Sequence, residues 1–112
     1  MISSENLDRL LTEVSCELKK IFGGKLEYLI LYGSYARGEQ TDGSDIDVFA
    51  LVDLDREQLQ KYRRTVSEIS GEIDLKYDCL LSVKLQDSET FRRYRTALPY
   101  FINVLEEGVR IV

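Results

Sequence analysis

The chain has no histidine, no tryptophan, one proline and two cysteines among its 112 residues. Without an imidazole there is no Ser-His-Asp triad, no histidine general base and no histidine-ligated zinc. Any chemistry must run on carboxylates, with metals as their natural partners. Cys16 and Cys79 have neither metal-ligand spacing nor a disulfide framework around them, which fits a reducing cytoplasm. No apolar run approaches the roughly 20 residues that span a bilayer, and Met1-Ile2-Ser3-Ser4-Glu5 lacks the basic-plus-apolar pattern of a signal segment. A cytoplasmic protein with no membrane association is expected. Positive charge is also scarce: 15 Lys and Arg against 20 Asp and Glu leave a formal net charge of −5. Phosphate-backbone binding needs clustered Lys and Arg. The cluster Arg92, Arg93 and Arg95 is mixed with Asp87 and Glu89 and reads as a solvated helix face, so direct nucleic-acid binding is not expected.

What is present suffices for one core. An apolar fraction of 44% is ordinary for a globular chain, and residues 1–112 read as a single small domain without repeats or linkers. Ser4 can cap a helix whose stripe is Leu7, Leu10, Leu11, Val14, Leu18 and Ile21, ending at Gly23-Gly24, with Cys16 on the exposed side. A first strand is expected over about 27–32 and a second over about 45–52, apolar on both faces beyond its first residues. Asp55, with Gln58 in a capping-box relation, opens a helix with inner positions Leu59, Tyr62, Val66, Ile69 and Ile73. A third strand over about 77–85, a helix capped by Asp87 or Ser88, a last helix begun by Pro99 and an edge strand after Gly108 complete the pattern. Helices alternating with strands imply an α/β (α+β) fold, a small mixed β-sheet flanked by helices.

The most informative segment is GSYARGEQTDGSDID, Gly33 to Asp47. A Gly-Ser turn follows the apolar run Tyr28 to Tyr32, and ten residues separate Ser34 from Asp45. Side chains at i and i+2 of a strand share a face, so Asp45 and Asp47 project side by side at the mouth of a buried strand. Two adjacent carboxylates repel unless a cation neutralises them, and a hard divalent ion such as Mg²⁺, shared with substrate phosphates, is the natural occupant. Backbone N–H groups of the Gly-Ser turn make an anion site beside it. A phosphate cradle next to an acid pair outlines phosphoryl or nucleotidyl transfer.

Gly33-Ser34, ten residues, then Asp45-x-Asp47 resembles the signature of the DNA-polymerase-beta-like nucleotidyltransferase superfamily. The longer match GSYARG…SDID on so short a chain is similar to its minimal nucleotidyltransferase (MNT) branch, of the antitoxin type, and Pro99-Tyr100-Phe101…Glu106-Glu107-Gly108 resembles the ending of such domains. The resemblance implies transfer of NMP, AMP from ATP, to a hydroxyl, with two Mg²⁺ ions. Asp45 and Asp47 would bridge the ions, and Gly33 and Ser34 would hold the departing pyrophosphate. It also implies a third carboxylate on the neighbouring strand, for which Asp78 is preferred over Asp74. Arg37 is placed either on a phosphate or against a local acid such as Glu39. The substrate lobe of larger members is missing, so a partner is expected: a HEPN-domain toxin whose tyrosine is modified. Two rival readings stand beside this one. One is an inactive binding module that neutralises a partner by contact, and the other is a small-molecule nucleotidyltransferase subunit completed by dimerisation.

Overall fold

The computed structural model describes residues 2–112; Met1, the first residue of the amino-terminal stretch read above, lies outside it. Helix α1 (Ser4–Phe22) is capped by Ser3, whose hydroxyl accepts the Asn6 amide at 3.1 Å, one residue ahead of the expected cap. Its stripe buries Leu10, Val14, Leu18 and Phe22, while Cys16 is exposed. After a 3-10 turn, Gly23–Lys25, come β1 (Leu26–Tyr32), the short helix α2 (Ser34–Arg37) and β2 (Ile46–Val52). Then follow α3 (Arg56–Gln60), α4 (Arg63–Tyr77), β3 (Leu81–Asp87), α5 (Ser88–Tyr94), α6 (Pro99–Glu107) and β4 (Val109–Arg110). Both bonds of the Asp55–Gln58 capping box form, at 2.8 and 3.2 Å. Pro99 opens α6, where its missing N–H costs nothing.

The strands form one mixed sheet in the order β3-β2-β1-β4. β1 is antiparallel to β2 and to β4, whereas β3 is parallel to β2. Parallel neighbours need a crossover, and α3 with α4 provides it. Ile46, Val48, Ala50 and Val52 of β2 pack with α1 and α4 around Leu10, Val14, Leu18, Val66 and Ile73. Phe49 and Leu51 turn to the opposite face, against Ile30, Phe91, Phe101 and Val104. Phe49 meets the ring of Phe91 in a tilted contact and that of Phe101 edge-on, at 5.6 and 6.2 Å between centroids, contacts each worth about 0.5–1.5 kcal/mol beyond burial. The strand carrying the acid pair is thus clamped between two cores, which fixes the pair's place at its end.

One boundary bears on the site. The run expected as a strand from Tyr77 is helical there: α4 continues to Tyr77, Asp78 is its C-cap in the left-handed conformation (φ 51°), and β3 starts only at Leu81. Val66, Ile69, Ile73 and Tyr77 keep the helical stripe going. The Tyr77 hydroxyl donates to Glu13 of α1 at 2.7 Å, pinning the last turn. Tyr94 and Tyr100 are each 41% exposed, whereas Phe101 is buried.

Candidate functional site

Antiparallel pairing brings the end of β1 against the start of β2, with Tyr32 opposite Asp47. Gly33 follows at φ 74°, and a β-carbon built on it would lie 2.5 Å from Asp47 Oδ2. Both the left-handed backbone and the close approach demand glycine. The Gly33 carbonyl accepts the amides of Ala36 and Arg37 at 3.1 and 3.2 Å, forming the turn of α2. The amides of Ser34 and Tyr35, at the open end of that turn, take no part in those bonds. First-turn N–H groups without intrahelical partners favour anions. The acid pair and the anion-binding turn therefore share one corner.

Asp47 is half-buried and Asp45 exposed. Burial, and then the charge of Asp45, lift the Asp47 carboxyl above the usual aspartate range, while Lys84 and Arg37 pull the other way. The Tyr32 and Tyr100 hydroxyls, 3.0 Å apart, sit beside it. Burial above all, then the bond to Tyr100 and the charge of Asp47, hold the Tyr32 phenol far above its ordinary value. Arg37 is engaged with two acids, Nε to Glu39 at 3.5 Å and Nη1 to Glu107 of α6 at 3.2 Å. The Ser44 hydroxyl accepts the Thr41 amide at 2.9 Å, closing the loop before the acid pair.

The third carboxylate is not gathered in. Asp74 is used within the fold, its Oδ1 accepting the Leu81 amide at 2.7 Å. Asp78, on the cap of α4 rather than on the strand, borders a hollow of about 300 Å³ with Tyr35, Ser44, Cys79 and Leu80. Among the described residues no three His, Cys, Asp or Glu side chains are grouped to hold a metal ion. Opposite Asp47 on β3 stands Ser82, and next along the same face, opposite Phe49, stands Lys84. The two aspartates suit one hard divalent ion in ligand chemistry. A pair of ions bridged by three carboxylates does not fit these residues. Sequence reading missed Lys84, Tyr32 and Tyr100; Lys84 comes beside Asp47 only through the β2–β3 register, which no local pattern carries.

Residues 11–111 match the family described as nucleotidyltransferase domain. A protein of Methanocaldococcus jannaschii, provisionally named a protein adenylyltransferase, is 31% identical over 103 residues, 92% of this chain and 95% of its own length. A second protein of that organism with the same provisional name is 36% identical over 73 residues, 65% of this chain and 72% of its own. The crystal structure of a toxin–antitoxin with AMP-PNP is similar with a TM-score of 0.51 at 24% identity, over 89% of this chain and 70% of that one, and shows the shared fold.

Proposed function

The chain belongs to the nucleotidyltransferase family, and on that premise we propose that it transfers AMP from ATP to a hydroxyl on a partner protein. The observation that carries this reading is the packing of the Asp47 carboxylate against Gly33, which joins an acid pair to an anion-binding turn within one corner. The acceptor oxygen forms a bond to the α-phosphorus. The bond from that phosphorus to the bridging oxygen breaks, its electron pair leaves with pyrophosphate, and the hydroxyl proton passes to solvent. Ser34 and the Gly33 turn hold the β- and γ-phosphates. Asp45 and Asp47 would hold magnesium, which when bound would withdraw charge from the phosphate oxygens. Arg37 turns from Glu39 and Glu107 to a phosphate. Positioning and charge neutralisation are most of what such a reaction needs, so a chain of 112 residues acting as one minimal domain is enough.

Relatives named as protein adenylyltransferases support a protein acceptor. The toxin–antitoxin origin of the similar fold agrees with the antitoxin role that the sequence resemblance implies. The acceptor in this reading is a tyrosine of a HEPN-type toxin, as the sequence resemblance implies. The pair of aspartates without a third carboxylate favours one alternative, a module that silences its partner by contact alone. Incubation with ATP, Mg²⁺ and the protein encoded beside it separates the two. Adenylylation adds AMP masses to the partner, and Asp45→Asn abolishes them while leaving the complex intact. A wild-type protein that silences its partner without adding mass establishes the contact module.

A further inference from the structure

The face of the sheet that carries Asp47 continues onto β3 as Ser82 and Lys84, because Asp47 pairs with Ser82 and Phe49 with Lys84 in parallel register. Lys84 is exposed and makes no ion pair within 4 Å among the described residues. Its charge is nevertheless felt at Asp47. The other cation of the corner, Arg37, is already shared by Glu39 and Glu107. Asp74 is committed to the Leu81 amide, Asp78 sits on a helix cap, and among the described residues neither joins the aspartate pair in a group of three metal-ligating side chains. The corner thus offers two carboxylates, Asp47 on this face and Asp45 just before the strand, and one unpaired ammonium.

From this arrangement we infer that the site takes a single divalent ion, on Asp45 and Asp47, and that the Lys84 ammonium supplies the second positive centre, to a non-bridging oxygen of the transferred phosphate. The inference rests on the proposed nucleotidyl transfer and deepens it. Charge accounts for the substitution. Three carboxylates with two divalent ions leave one net positive charge facing the triphosphate; two carboxylates, one divalent ion and one ammonium leave the same. A lysine is suited to the task, being a compact point charge with three donors on a flexible stem. Lys84 forms no covalent bond and takes no proton in the step; it only stabilises charge that grows on the phosphate.

The test counts metal and does not depend on turnover. Wild-type protein is saturated with α,β-methylene-ATP and titrated with Mn²⁺, with bound ion followed by electron paramagnetic resonance and nucleotide affinity by calorimetry. One Mn²⁺ per chain is expected, and Lys84→Met should keep that count while weakening the nucleotide about tenfold, the scale of one charge-assisted hydrogen bond. Lys84→Arg should restore most of the affinity. Two Mn²⁺ per wild-type chain would overturn the inference and leave the proposed function standing, and so would unchanged affinity in Lys84→Met. No bound Mn²⁺ and no bound nucleotide would overturn the proposed function as well.

Discussion

The Asp47 carboxylate presses so closely on Gly33 that a β-carbon there would stand 2.5 Å from its Oδ2. Gly33→Ala must therefore push the carboxylate aside and also hold a left-handed backbone at φ 74°, a strain of about 1–2 kcal/mol. The variant should melt several degrees lower and lose the stabilisation that Mn²⁺ gives the wild type. Melting curves with and without Mn²⁺ decide the matter. A metal-induced rise equal to that of the wild type would show that Asp47 tolerates the methyl group.

Acidity provides an independent check on the pair. Burial first, and Asp45 second, raise the Asp47 carboxyl. A carboxyl whose folded-state pKa exceeds its unfolded one favours folding while protonated. That contribution is complete below the unfolded pKa and is lost as pH rises through the raised value. At neutral pH the metal-free Asp47→Asn protein should melt at or above the wild type, the gap closing in acid. Magnesium should reverse the order by raising the wild type alone. Identical magnesium shifts in both proteins would remove Asp47 from the site.

Arg37 must leave Glu107 to serve a phosphate. Glu107→Gln should therefore strengthen binding of α,β-methylene-ATP, by about twofold given the modest worth of exposed ion pairs. Arg37→Met should weaken it. If both variants weaken binding equally, Arg37 serves as a tether between α2 and α6 and does not contact nucleotide.

Gly108 matters for packing alone. A β-carbon there would collide with Ile30 Cγ2 and the Val104 carbonyl, where α6 turns into β4. Gly108→Ala should cost about 1–3 kcal/mol by overpacking, read as a lowered denaturation midpoint. Mn²⁺ binding by the folded fraction should be unchanged, since the acid corner lies on β1 and β2.

Local signals carried most of the fold. The stripe of α1, the Asp55–Gln58 box, the opening Pro99 and the closing Gly108 each act within a few residues, and all can be read along the chain. Gly33, Ser34, Asp45 and Asp47 could be picked out for the same reason, because a single loop joins them. The start of β3 could not. The stretch Tyr77 to Leu85 is apolar enough for either state, and the contact that extends the helix reaches back 64 residues to Glu13. From that shift came the placement of Asp78 at a strand mouth. Lys84 stayed hidden because its neighbourhood with Asp47 exists only through the β2–β3 register. Tyr100 stayed hidden too, because helical spacing does not reveal that α6 leaves this ring beside the phenol of Tyr32.

The Tyr32–Tyr100 pair also gives the molecule an optical property. With no tryptophan in the chain, its seven tyrosines produce the intrinsic emission, and no indole drains their excited states. Two of them share a hydrogen bond at 3.0 Å beside the carboxylate on which a cation would settle. Neutralising Asp47 changes the field across both rings, so occupancy of the corner is written into the ultraviolet fluorescence of the unlabelled protein. The other five phenols form the background, and Tyr32→Phe serves as the blank.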